Sequence, residues 1–202
     1  MGLEDAILVR TSNTLKYKDD KVIILDRRRY PEEEVWQTYS SYEEVAAAIE
    51  EMVIQGAGSV AFAAGLGLAL AARTFSYLPQ PEFYKSIEIA AERLKKTRPT
   101  GEYLIPLVDK MVSICIKAQE ENVDPANAIA EEVERLMEED DLITRRCGQF
   151  AATLIDDGDG ILTHCYPGGA LLYMLDEVRK QGKEVAVYCS ETRPYLQGAR
   201  LT

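Results

Sequence analysis

Histidine is almost missing from this sequence, which has one in 202 residues, with four cysteines and a single tryptophan. A histidine-based zinc site therefore has too few ligands, because the cysteines at 115, 147, 165 and 189 are scattered and form no C-x-x-C. Such spacing reads as reduced thiols in a cytoplasmic protein. His164 and Cys165 are neighbours on a predicted strand, where successive side chains point to opposite faces, so they cannot pair as nucleophile and base. Cations are scarce too: 23 Lys and Arg stand against 34 Asp and Glu, a net charge of -11. Neutralising the phosphates of nucleic acid or anionic lipid needs the opposite balance, so neither partner is expected. One or two local arginines can still hold a small anion. No G-x-x-x-x-G-K-[ST] or G-x-G-x-x-G is present. The longest apolar run, Val60 to Ala72, is interrupted by Gly65 and Gly67 and falls short of the roughly 20 residues that cross a bilayer. The first five residues lack a basic stretch followed by an apolar one, so no signal peptide is expected.

What is present reads as a soluble globular chain, 47% apolar and 28% charged. Ala6 to Arg10, Thr14 to Tyr17 and Val22 to Leu25 predict short strands, the last two joined as a hairpin through Lys18 to Lys21. Arg27, Arg28 and Arg29 read as a solvated edge. Ser41 and Glu44 form a capping box for a helix with Val45, Ile49, Met52 and Val53 on its inner face. After Gly56 to Ser59, the small-residue stretch from Ser59 to Arg73 predicts a buried central helix. Further helices follow, with Phe83, Ile87, Ala90 and Leu94 inside one, and Leu104, Val108, Met111, Cys115 and Ile116 inside the next. Asp124-Pro125 is an N-cap pair for a helix burying Ile129, Val133, Leu136 and Met137, and a separate helix is expected from Asp141 to Ile155. Residues 120–141 hold ten carboxylates and one arginine, the pattern of a solvated helix face.

The last 45 residues read differently. Ile161 to Cys165 predicts a buried strand, Tyr166 to Gly169 a turn, Ala170 to Lys180 a helix, and Val185 to Cys189 a second strand. This is a βαβ unit opening a Rossmann-like parallel sheet. The expected fold is α/β, with a small N-terminal β-hairpin and helical domain over residues 1–122 and the first half of a Rossmann-like domain over 123–202. A parallel sheet is covered on both faces and has more than two strands, so its remainder must come from a partner chain or from sequence not present here. Cys165, at the carboxyl end of the first parallel strand and just before a glycine turn and a helix N-terminus, sits where open α/β sheets bind ligands.

Two stretches carry a resemblance: Ile161 to Cys165, and the E-T-R-P-Y-L-Q-G-A-R-L-T run from Glu191 to Thr202. With Leu25-Asp26-Arg27, Gly56-Ala57 and Arg98-Pro99-Thr100, in this order, the chain resembles the methylthioribose-1-phosphate isomerase family. That family is related to ribose-1,5-bisphosphate isomerases and to the regulatory subunits of translation initiation factor 2B. The resemblance implies an aldose–ketose isomerase acting on a sugar phosphate in methionine salvage, with no metal or cofactor, commonly a dimer. It also admits a non-catalytic regulatory or assembly module. Carried over, Cys165 is an acid/base thiol, and Gly56, Ala57, Arg98 and Gln197 hold the phosphate. Gln55 stands where the family has arginine, which removes a charge-assisted contact worth about 1.5–3 kcal/mol. Gly58 replaces a proline and Tyr166 an asparagine. The resemblance places the catalytic aspartate beyond Thr202.

Overall fold

The computed structural model describes Leu3 and residues 6–202; the other residues of the N-terminal stretch inspected for a signal peptide lie outside that range. Residues 6–10 are turns rather than the expected strand, followed by a short 3-10 turn at Thr11–Asn13. Their backbone is satisfied locally: the Val9 N–H and the Asn13 side-chain amide both donate to the Ala6 carbonyl, each at 3.1 Å. A ladder partner is not needed there.

The hairpin forms as expected. Strands β1 (Leu15–Lys18) and β2 (Lys21–Leu25) pair antiparallel through Asp19 and Asp20, both in the left-handed region at φ 52°. Two consecutive positive φ values give the primed turn whose twist suits a tight hairpin. A third strand, β3 (Trp36–Tyr39), adds to β2 with Val22 opposite Tyr39. Val22 and Ile24 bury their side chains in the core with the helices, and Leu25 is also buried.

Four helices follow: α1 (Tyr42–Glu50), α2 (Ala57–Phe75), α3 (Gln80–Lys95) and α4 (Leu104–Glu120). The capping box at α1 is complete, with the Glu44 N–H donating to Ser41 Oγ and the Ser41 N–H to the Glu44 carboxylate. Helix α2 is central because its small residues permit close approach on every side. At Gly65 an added Cβ would lie 2.8 Å from Val133 and 3.0 Å from Leu107. At 19 residues α2 is long and apolar enough to cross a membrane, longer than the Val60–Ala72 run suggests, but its residues are packed inside the helical core. Each fully buried leucine there contributes about 1.5–3 kcal/mol.

Asp124 caps α5 as predicted, accepting from the Ala126 and Asn127 N–H groups at 3.0 and 3.3 Å. Helix α5 then runs unbroken from Pro125 to Ala152, where two helices were expected. Asp140-Asp141 brings no glycine or proline to stop it, and Asp141 is held by Arg10 at 3.1 Å and by the Tyr173 hydroxyl at 2.9 Å. Its front half joins the main core through Ile129, Val133 and Met137, while Ala152 belongs to a second cluster with Met174 and Val178.

The βαβ topology is as read, with β4 (Gly160–Thr163), α6 (Gly169–Lys180) and β5 (Ala186–Cys189), the strands parallel and Leu162 opposite Tyr188. The first strand is not the buried one expected, since only Thr163 of β4 is buried, and β5 is exposed throughout. Helix α6 lies on α5 at Gly148, where a Cβ would fall 2.6 Å from Tyr173 Cβ and 2.7 Å from the Ala170 carbonyl. Ile161 packs towards α5 and α6, whereas Leu162 (82% exposed) and Tyr188 (61%) leave the other face bare. A short helix α7 (Gln197–Leu201) ends the chain.

Candidate functional site

Helix α1 gives way to a turn at Met52, and the chain reaches α2 through Gly56, whose φ of 97° and ψ of 136° suit only glycine. Gly56 is the N-cap, and the first intrahelical bond runs from the Val60 N–H to its carbonyl at 2.9 Å. The N–H groups of Ala57, Gly58 and Ser59 therefore have no partner within the helix. Three amides and the positive end of a 19-residue helix dipole favour an anion at this point.

Arg98, just beyond α3, donates to the Ile49 carbonyl at 2.9 Å and touches Met52 Sδ. With Gly56, Ala57, Thr100 and Gln55 it lines a cavity of about 230 Å³. Three of the expected phosphate ligands thus share one pocket. Gln55, where the resemblance leads one to expect arginine, is buried; its amide donates to the Met52 carbonyl at 3.1 Å and its Oε1 has no partner.

On the far side of Gly56-Ala57 a second cavity of about 220 Å³ opens towards Tyr166 to Gly169 and towards Arg27 and Asp140. Tyr166 donates its hydroxyl to the Leu8 carbonyl, and burial raises its pKa. Burial also raises the pKa of Asp140, with Asp141 beside it adding to the effect. The acidic stretch is therefore not wholly a solvated face.

Cys165 lies two residues past the end of β4, half-buried, with φ 58°. The strand is shorter than expected, so the alternation argued for His164 and Cys165 does not apply to them. His164 is exposed, and its Nδ1 lies 3.0 Å from Ser190 Oγ at the end of the neighbouring strand. The Cys165 N–H donates to Thr192 Oγ1 at 3.1 Å, and the Thr202 hydroxyl donates to its carbonyl at 2.7 Å. Gln197, the first residue of α7, is buried. Neither Cys165 nor Gln197 lines either cavity; Cys165 adjoins the second one through Tyr166. Among the described residues no group of three or more His, Cys, Asp or Glu is placed to hold a metal ion.

Of the arginine triplet, Arg28 and Arg29 are exposed as a solvated edge requires, and Arg27 is not. Arg28 binds the buried Asp26 at 2.7 Å, and Arg29 pairs with Glu33. Arg27 is 2% exposed, donating to the Gln55 carbonyl at 2.7 Å and to Thr14 Oγ1 at 3.1 Å. Arg200 of α7 reaches the same segment, donating to the Arg28 carbonyl at 2.7 Å and the Arg27 carbonyl at 3.3 Å. Thr14, Gln55 and Ser59, which hold the Arg27 guanidinium, are distant in sequence, and local pattern carries no signal for them.

Residues 53–202 match the model of the Initiation factor 2 subunit family. A methylthioribose-1-phosphate isomerase of Geobacter sulfurreducens is 35% identical over 197 residues, covering 94% of this chain and 57% of that protein. One from Thermosipho africanus is 35% identical over 196 residues, 94% of this chain and 56% of its own length. The crystal structure of 5-methylthioribose 1-phosphate isomerase from Pyrococcus horikoshii OT3 superposes with a TM-score of 0.74 at 30% identity, over 100% of this chain and 59% of that one. Translation initiation factor eIF-2B, subunit delta, from A. fulgidus gives 0.71 at 29% identity, over 93% and 57%. The chain spans somewhat under three fifths of these relatives' length. With the Gly56-Ala57 turn, Arg98 and the terminal E-T-R-P run all inside the matched residues, the chain belongs to the initiation factor 2 subunit family.

Proposed function

We propose that this chain forms the phosphate-holding and thiol-bearing part of an aldose–ketose isomerase site for a pentose 1-phosphate. The observation that carries the reading is the Gly56-Ala57 helix start, which shares one cavity with Arg98 and a second with the turn that follows Cys165. Gly56, Ala57 and Arg98 hold the phosphate from one side, and Gln197 closes it from α7. Cys165 exchanges a proton between C1 and C2 of the sugar, a task a thiol can perform near neutral pH. The opposing acid/base group comes from the part of the relatives that the match does not cover. Four free cysteines suit a cytoplasmic setting. The two apolar clusters support two units, but they divide within α5, whose front half packs with residues 1–122, rather than at the 122/123 boundary.

A second reading, a non-catalytic regulatory or assembly module, is favoured by Gln55 and by the bare face at Leu162 and Tyr188. In both readings the further strands of the sheet, and the helices that cover this face, come from a partner chain or from the part of the relatives that the match does not cover. The test is an isomerisation assay of the chain joined to the carboxyl-terminal part its relatives carry. Turnover of a pentose 1-phosphate that Cys165→Ser abolishes supports the isomerase. Binding of the sugar phosphate without turnover supports the module.

A further inference from the structure

Arg27 is the most deeply buried cation described in the molecule, and no carboxylate among the described residues pairs with it. Its neighbour Asp26 serves Arg28 and Gln37 instead. Of the five N–H groups of the guanidinium, three are accounted for by the Gln55 carbonyl, Thr14 Oγ1 and Ser59 Oγ, at 2.7, 3.1 and 3.4 Å. Nε is buried without a partner. A role as a structural pin explains the three bonds but leaves the orphaned Nε and the uncompensated charge. Arginine does not shed its proton to escape burial, so a buried guanidinium of this kind calls for an anion.

The position of that charge is informative. Arg27 Nη1 lies 3.7 Å from where a Gly56 Cβ would stand, and the side chain lines the cavity formed by Gly56 to Ser59 and by Gly168-Gly169 at the start of α6. Two helix N-termini therefore face one arginine. The Tyr166 ring, 5.7 Å from the guanidinium, backs it. Asp140 and Asp141 also border the cavity; Asp141 is paired with Arg10 at 3.1 Å, and burial raises the Asp140 pKa.

We propose that Arg27 is an anion-binding side chain of the second cavity, supplying on that side of Gly56-Ala57 a positive charge for a phosphate monoester. The inference rests on the sugar-phosphate reading above and adds a residue to it. The residue two positions along the arginine triplet cannot substitute, since Arg29 is exposed and paired with Glu33.

The test is a titration of isotope-labelled protein with inorganic phosphate and, separately, with ribose 1-phosphate, following the Arg27 Nε–H resonance assigned through its own side chain. The expected result is a saturable shift of that resonance and, in Arg27→Gln, a Kd at least tenfold higher. A shift with both ligands assigns the site to the phosphate group itself; a shift with the sugar phosphate alone assigns it to the whole ligand. Binding that Arg98→Ala weakens, with Nε unmoved and Arg27→Gln within twofold, overturns the inference and leaves the proposed function standing. No binding of either ligand overturns both. If Arg27→Gln does not fold, the Nε shift in the unaltered protein decides.

Discussion

Gly56→Ala is the perturbation that most cleanly isolates backbone geometry at the site. An added Cβ meets only Arg27 Nη1 at 3.7 Å and Ser59 Oγ at 3.8 Å, both ordinary contacts, so sterics contribute little. The cost comes from φ 97° and ψ 136°, a conformation L-residues rarely adopt. Holding a residue there costs about 1–3 kcal/mol, and the stiffer unfolded chain returns at most about 1 kcal/mol. A net loss of about 1–2 kcal/mol is expected, which for a domain of this size lowers Tm by about 2–8 °C. Because relaxing the strain turns the Ala57 amide, the Tm increase given by a sugar phosphate should also shrink. Thermal unfolding monitored by circular dichroism, with and without ligand, measures both. A variant as stable as the parent, with an undiminished ligand effect, would refute the reasoning.

Other outcomes follow from packing and charge. Gly148→Ala places a Cβ 2.7 Å from the Ala170 carbonyl and 2.8 Å from the Met174 nitrogen, backbone atoms that cannot swing aside. Overpacking of about 1–3 kcal/mol should exceed the roughly 1 kcal/mol that alanine gains in a helix, and hydrogen exchange should accelerate first in α6. Arg135, opposed by burial and joined by Lys110, holds the Glu132 carboxyl down at about 2 against an ordinary 4.5. A folded value below the unfolded one stabilises fully above about pH 4.5 and is lost as pH falls towards 2, so Glu132→Gln should flatten the acid limb of the stability curve. Burial pushes the Cys115 thiol up to about 12, whereas Cys147 and Cys189 are exposed. In native protein at about pH 8 a thiol reagent should label those two first and Cys115 only on unfolding; prompt labelling of Cys115 would contradict the packing of α4.

Periodicity was a good guide wherever one face of an element is buried, as with Phe83, Ile87, Ala90 and Leu94 of α3, all in the core. Capping chemistry placed Ser41 and Asp124 for the same reason: each acts on amides within three residues. What was not legible depends on distant partners. Strand β3 is four residues with no alternation in burial, formed because β2 offers it an edge. Asp140-Asp141 resembles a helix start, yet Arg10 and Tyr173 hold Asp141 in the middle of α5. The candidate site divides in the same way. Gly56, Ala57 and Arg98 follow from short motifs and meet in one cavity, while Cys165 adjoins the second cavity through Tyr166 and Gln197 lines neither. Arg27 looked like part of a charged edge because Thr14, Gln55 and Ser59, which enclose it, lie 13, 28 and 32 residues away.

A crystal structure with a bound pentose 1-phosphate tests the central claim most directly. The account predicts phosphate oxygens within hydrogen-bonding distance of the Ala57 amide and the Arg98 guanidinium, with the sugar's C1–C2 edge turned towards Cys165 Sγ. A ligand seated elsewhere, with the start of α2 bare, would contradict it.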